Sequence, residues 1–177
     1  MITYSKTTSR EELAQILALQ NINLLENLSD EEKQQQGFVT VKHTLEILEK
    51  MHKACPHTIA KYNDRVVGFA LSMTKEFSDD IEVLKPMFIE INKIVTSKSY
   101  IVMGQICIDK DFRKQGVFRG LYNFMKTNIC ESKFDLIVTE IDLKNQVSLN
   151  AHQAIGFKNL IDYNYQGKTW RIVTLKV

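Results

Sequence analysis

Apolar and polar positions follow two periods along this chain. Residues 2–5 alternate singly, as a strand does, while Leu13, Ile16, Leu17 and Leu24 recur at helical spacing behind Ser9, Glu11 and Glu12, a helix start. Ser29-Asp30-Glu31-Glu32 opens a second helix, polar through Gln34, Gln35 and Gln36. Leu45, Leu48 and Met51 mark a third over residues 44–53. Residues 58–62 and 66–73 are strands, and the polar Asn63-Asp64-Arg65 between them suits a hairpin turn. From Ser78 to about Ser99 the stripe Met87, Phe88, Ile91, Ile94 and Val95 predicts a helix with Pro86 near its first turn.

The second half alternates more plainly. Residues 100–108 form an apolar strand interrupted by Gly104, residues 117–132 a helix carrying Phe118, Leu121, Tyr122, Met125 and Ile129, and residues 136–141 a second buried strand. A short helix follows over residues 146–155, then two strands about Gln166-Gly167-Lys168. A helix crossing between the two central strands makes them parallel, and the upstream hairpin is antiparallel. The fold class is α/β (α+β): a mixed central sheet with helices on both faces.

A chain of 177 residues with only 7 Gly and 2 Pro, and no repeat or linker-like tract, reads as a single domain over residues 1–177. Its 23 Lys plus Arg against 21 Asp plus Glu give no general attraction to nucleic acid or to anionic membranes. No apolar run reaches the ~20 residues of a membrane span, and residues 1–6 lack a signal-like stretch. Cys55, Cys107 and Cys130 are odd in number and widely spaced, which argues against a disulfide framework and a zinc site and for reduced thiols in a cytoplasmic protein. No metal is expected.

Two stretches carry chemistry. In the first, the strand ending Gln105-Ile106-Cys107-Ile108 passes through a charged loop to a helix that begins after Gly116. A helix N-terminus presents unpaired N–H groups and partial positive charge, an anion site. Gly116 lets backbone approach an anion closely, and Arg113, Lys114 and Arg119 add charge. An ordinary strand-to-helix turn has the same pattern. In the second, Asn145, Ser148 and His152 stand at i, i+3 and i+7 on one helical face, with Val147, Ala151, Ala154 and Ile155 as the opposing apolar stripe. Asn145 also suits an N-cap and Gly156 a C-cap.

The order and spacing of these stretches resemble the GNAT superfamily of acetyltransferases. Arg113-Lys114-Gln115-Gly116-Val117-Phe118 fits its pyrophosphate signature, Arg/Gln-x-x-Gly-x-Gly/Ala, at Arg113 and Gly116; Phe118 stands where a small residue is usual, either crowding the phosphate loop or turning into the core. Asn145, Ser148, His152, Gly156 and Phe157 fit the second signature, with His152 in place of the commoner Tyr.

The resemblance implies a twisted sheet whose central parallel strands splay apart, with acetyl-CoA as co-substrate and an amine acceptor. Backbone groups of Ile106, Cys107 and Ile108 would hold the pantetheine arm. Residues Arg113, Lys114, Gln115, Gly116, Val117, Phe118 and Arg119 would surround the pyrophosphate, and Asn145, Ser148 and His152 would complete the cofactor site. By the same resemblance Glu140, at the end of the second central strand, is the candidate base, its alternative being an ion-paired carboxylate. His152 is the candidate acid for the departing thiolate, with a base or relay role open. Cys107 reads as a small core residue. A non-catalytic acyl-CoA-binding module of the same fold stays open, as does the role of the Met87–Val95 stripe: core, pocket wall or contact of a homodimer. The acceptor amine is not legible: Glu76, Asp79, Asp80 and Glu82 fit a solvated helix start better than an amine site.

Overall fold

In the computed structural model, the described residues are 1–95, 99–129 and 134–177. Among them seven strands form one sheet: β1 (Thr3–Lys6), β2 (Thr58–Tyr62), β3 (Arg65–Met73), β4 (Tyr100–Ile108), β5 (Leu136–Asp142), β6 (Lys158–Tyr165) and β7 (Lys168–Lys176). Their order is β1-β2-β3-β4-β5-β7-β6, and only the central β4–β5 pair is parallel. The expected mixed sheet is therefore observed. Asn63 and Asp64, both at positive φ, make the β2–β3 turn, so Arg65 belongs to β3 rather than to the turn.

Among the described residues six α-helices accompany the sheet: α1 (Arg10–Ile22), α2 (Asp30–Gln35), α3 (Leu45–Ala54), α4 (Lys85–Ile94), α5 (Val117–Asn128) and α6 (Gln146–Ala154). Ser9 caps α1, Ser29 and Glu32 form a capping box on α2, Thr44 caps α3 and Asn145 caps α6, which is why the polar residues before each apolar stripe marked the starts. Leu13, Ile16, Leu48, Met51, Met87, Phe88 and Ile91 pack with Phe69, Leu71, Val102, Val138 and Ile172 on one face of the sheet. On the other face Tyr122, Met125, Leu149 and Phe157 pack with Ile101, Met103, Ile137 and Val173. No helix among the described residues is long and apolar enough to cross a membrane.

The β4–β5 ladder is short. It runs from Tyr100↔Leu136 to Val102↔Val138 and ends there. On its other edge β4 stays paired with β3 down to Ile108, while β5 stays paired with β7 down to Asp142. The cause lies in β4. Between the pairs Ser72↔Met103 and Ala70↔Ile106 it carries one more residue than β3, a bulge at Gly104-Gln105. A bulge bends and twists its strand, and here it turns β4 away from β5.

Three expectations need correction. The helix expected from Ser78 is two 3₁₀ turns before α4 begins at Lys85, since the acidic run lacks an apolar stripe and Pro86 fits only a first turn; its predicted end overlaps residues 96–98, outside the described residues. The apolar stripe of α6 is not one face: Val147 and Ala154 are exposed and Ile155 packs against the core, while Leu149 and the polar His152 are the helix's buried residues. Cys55 is disulfide-bonded, not a reduced thiol, and Cys130, like the predicted end of α5, lies outside the described residues.

Two predictions follow from this packing. A Cβ added at Gly120 would overlap the Tyr4 phenol where α5 rests on β1. Gly120→Ala is expected to destabilise by ~1–3 kcal/mol in urea unfolding, and to become neutral or favourable in a Tyr4→Ala background, where only the helix preference of ~0.8–1.0 kcal/mol for Ala remains. An equal loss in both backgrounds would contradict the overlap.

The second concerns pH. Burial pushes His43 and His152 down to about 4 and His57 to about 3, from an ordinary 6.5. Between those values and 6.5 the unfolded chain binds more protons than the folded one, so these groups make stability rise with pH. Glu140, pushed up by burial from 4.5 to about 7, acts in the opposite sense, but one group opposes three. Unfolding midpoints in urea should therefore climb from about pH 5 to about pH 6.5, by a stability on the order of a few kcal/mol. A flat or falling midpoint across that window would contradict the burial of neutral imidazoles.

Candidate active site

The parting of β4 from β5 leaves a gap in the sheet, and two cavities meet there. The first, about 330 Å³, lies over the start of α5 and is walled by Ile106, Cys107, Ile108, Phe112, Arg113, Lys114, Gly116, Val117, Phe118, Val147, Ser148 and Ala151, with residues 35–39 and Asn23 as its roof. The second, about 70 Å³, is the gap itself. Met103, Gly104, Gln105 and Ile106 of β4 face Thr139, Glu140, Ile141 and Asp142 of β5 across it, and Asn145, Ser148, His152, Leu84, Trp170 and residues 38–41 complete its lining. Phe38, Val39, Ile106 and Ser148 line both.

The first cavity suits a long ligand with an anionic head and a slender arm. Helix α5 opens at Gly116, whose φ of 81° is left-handed and which provides no side-chain cap. Its first-turn N–H groups are thus left to an external acceptor. A Cβ placed on Gly116 would meet nothing within 4 Å, so the loop is open on that side. The cavity below is mostly apolar, and Val147 and Ala151 form one wall of it, which accounts for these two apolar positions of α6 outside the core. Beyond Val102, β4 has no strand partner on the gap side, so its backbone is free to pair with an extended arm.

Phe118 does not crowd the loop. Its ring packs edge-on against Tyr122 and His152, with centroids 5.2 and 5.0 Å away. Arg113 is drawn under the roof: Nε donates to the Ile108 carbonyl at 3.1 Å, one terminal nitrogen to Asn23 Oδ1 at 2.5 Å, and the other to Gln36 Oε1. Lys114, Gln115 and Arg119 are exposed. Lys114 lines the cavity, Gln115 donates to the Asp111 carbonyl at 2.8 Å, and Arg119 reaches the Ala154 carbonyl at 3.5 Å. Of the residues expected around an anion, Gln115 and Arg119 therefore stand outside the cavity wall. Burial pushes the Cys107 thiol up to about 12, which leaves it protonated and unreactive.

Asn145 works twice. Its side-chain oxygen accepts the Ser148 N–H at 3.2 Å, capping α6, while Nδ2 donates to the Phe38 carbonyl at 3.1 Å and ties the roof across the gap. A second tie joins Gln105 Nε2 to the Val41 carbonyl at 2.8 Å, and Gln105 Oε1 accepts from Gln20 at 2.7 Å.

Glu140 and His152 are both at the gap but in different states. Glu140 is partly buried, receives a hydrogen bond from the Tyr163 hydroxyl, and is raised to about 7 by desolvation, against which that bond acts. His152 is 1% exposed. Its Nδ1 lies 2.7 Å from the Ser148 carbonyl and must donate there, so Nε2 accepts from the Tyr122 hydroxyl at 2.8 Å. Four aromatic rings (Phe118, Tyr122, His152 and Phe157) pack edge-to-face around this bond. The ring expected to donate to a thiolate thus has both nitrogens engaged.

Sequence reasoning missed Tyr163, Asp142, Trp170, Asn23, Gln36 and Gln105. Tyr163 reaches Glu140 from another strand, and Gln36 and Asn23 reach Arg113 from 77 and 90 residues away in the chain. Only the single Trp, on the strand facing β5, offered a local hint.

Residues 18–157 match the acetyltransferase (GNAT) family. Among solved structures, Ard1 from Thermoplasma volcanium aligns over 99% of this chain and 97% of its own, with a TM-score of 0.69 and 13% identity. yncA from Salmonella typhimurium, solved with its cofactor acetyl-CoA, gives 0.68 at 13% identity over 99% and 93%. The ribosomal-protein-S18-alanine N-acetyltransferase from Escherichia coli gives 0.65 at 12% identity over 99% and 94%. These likenesses show the fold. No curated protein matches the chain. The family match spans most of the sequence and includes both walls of the gap: the chain belongs to the GNAT acetyltransferase family.

Proposed function

We propose that this protein transfers an acetyl group from acetyl-CoA to a primary amine by direct attack in a ternary complex, with Glu140 as the base. The observation that carries the reading is the meeting of the two cavities at Phe38, Val39, Ile106 and Ser148, with a carboxylate raised to about 7 on the far wall. Acetyl-CoA supplies a thioester carbonyl open to attack. The open turn at Gly116 and the apolar wall of Val117, Val147 and Ala151 support its binding along the first cavity. The free edge of β4 from Gln105 to Ile108 supplies backbone N–H groups for the pantetheine arm and for the oxygen that gains charge on attack.

A primary amine of lysine type is protonated at neutral pH, its pKa being about 10.4, so attack requires a base. General bases work best when their pKa lies near the working pH, and the desolvated Glu140 meets that condition. Tyr163 donates to this carboxylate, fixes its direction and limits the rise in its pKa. A carboxyl that lines the gap and is raised by desolvation favours turnover over mere sensing of acyl-CoA. His152 fits a positioning role: its neutral ring links α6 to Tyr122 on α5 and holds Ser148 at the junction. A thiol of ordinary pKa near 8.5 leaves as thiolate without a strong acid, so the transfer does not require His152 to donate.

With an acceptor identified by screening primary amines for thiol release, kcat/KM should rise with pH through about 7, because Glu140 acts only as carboxylate. Glu140→Gln should lower kcat by roughly 10²–10⁴ while acetyl-CoA affinity barely changes. Tyr163→Phe removes the bond that favours the charged form, so its limb should move to higher pH with the plateau retained. Wild-type turnover in Glu140→Gln, or a limb in the ordinary carboxylate range, would remove Glu140 as base.

A further inference from the structure

Lys168 begins β7, just after the Gln166-Gly167 turn, and its side chain reaches back to the gap. Its Nζ is 3.6 Å from Asp142 Oδ2 and 5.5 Å from the centroid of the Trp170 ring, over its face. Asp142 and Trp170 are directly opposed across the β5–β7 ladder, and both line the gap beside Glu140. Asp142 is held in place, since its Oδ1 accepts the Lys144 N–H at 2.9 Å and the residue is 5% exposed. A fixed carboxylate and an aromatic face are the contacts with which a protein seats an ammonium group. Among the described residues no lysine or arginine lines the gap itself; the Lys168 ammonium adjoins it through Asp142 and Trp170, which do. Trp170 Nε1 is buried there without a partner, a donor left over for an oxygen that arrives with a ligand.

We propose that Lys168 is an acceptor of its own active site, acetylated within the same chain. The proposal rests on the acetyl-CoA reading above. Glu140 and Asp142 are two residues apart on β5 and share a face, so the ammonium on Asp142 stands one strand pleat from the base, within reach by rotation of a flexible four-carbon stem. Glu140 takes a proton from the ammonium. The neutral Nζ attacks the thioester carbonyl, an N–C bond forms, and the C–S bond breaks. Glu140 passes its proton to solvent and is free to take the second proton from the nitrogen, while the sulfur leaves as thiolate and takes one proton from solvent. The sum is one acetyl-lysine, one CoA thiol and one proton from Lys168 and acetyl-CoA. Acetylation also removes the cation from Asp142, and the wall it leaves is anionic.

The test is mass mapping of the whole protein after incubation with acetyl-CoA. Lys168 should gain an acetyl group ahead of the other lysines, with a rate constant independent of protein concentration and at least tenfold slower in Glu140→Gln. A second readout needs no turnover. CoA, which carries no acetyl group, should slow labelling of Lys168 by acetic anhydride relative to exposed lysines. If acetyl-CoA raises the unfolding temperature but Lys168 stays unmodified, or is acetylated equally fast in Glu140→Gln, the self-transfer is overturned and the cofactor reading stands. If CoA leaves the labelling of Lys168 unchanged, Lys168 does not border the site and the proposal fails. If acetyl-CoA neither binds nor modifies the protein, the cofactor reading falls and the proposal falls with it.

Discussion

A parallel strand pair that stops after three residues leaves backbone groups without partners, and most of what is distinctive here follows from it. β4 and β5 are hydrogen-bonded only from Tyr100↔Leu136 to Val102↔Val138. In a packed sheet such an interruption is costly, because buried N–H and C=O groups must find partners. It is tolerated where a ligand, a bulge or a crossing segment takes over. The bulge at Gly104-Gln105 provides the bend, and residues 36–41 cross the opening. Asn145 and Gln105 receive that crossing segment from opposite walls. One local irregularity in β4 thereby creates a channel through the sheet, a roof over it, and a free strand edge beside it.

The titratable groups around the channel are arranged by burial rather than by charge pairing. Glu140 sits where desolvation favours its neutral form, and a single phenol hydroxyl stands against that trend. His152, one wall away, is driven the other way and held as a neutral ring between a backbone carbonyl and Tyr122. Two groups with titrations pushed in opposite directions commonly mark an acid and a base. Here the hydrogen bonds separate the roles differently: the carboxylate faces the cavity with one partner, whereas the imidazole is committed on both nitrogens. With His152 in place of the commoner Tyr, this position is part of an aromatic cluster that Phe118 joins.

How much of this was legible in the sequence depends on the range of the interaction. Caps and strand periods act within a few residues, so Ser9, Ser29, Thr44 and Asn145 were read correctly as helix starts, and β4 and β5 as buried strands. Gly104 was visible as an interruption, though not its consequence, since a bulge is defined by the partner strand. The destination of the α6 stripe was not legible, because composition does not distinguish apolar residues that line a cavity, as Val147 and Ala151 do, from those that meet a core, as Ile155 does. The partners of Glu140 and Arg113 arrive from strands and turns far along the chain, and no local pattern announces them. The disulfide at Cys55 is of the same kind, since pairing is a matter of proximity in the fold.

We propose that the cavity over the α5 turn and the gap between β4 and β5 form one continuous seat for acetyl-CoA. Calorimetric titration of the wild-type protein tests it most directly, with acetyl-CoA, CoA and ATP in separate runs. The account predicts one saturable site per chain for acetyl-CoA and for CoA, a negative heat-capacity change from burial of the pantetheine arm against apolar walls, and no comparable binding of ATP, which has no arm to fill the gap. Absence of binding by either CoA species, or equal affinity for ATP, would contradict it.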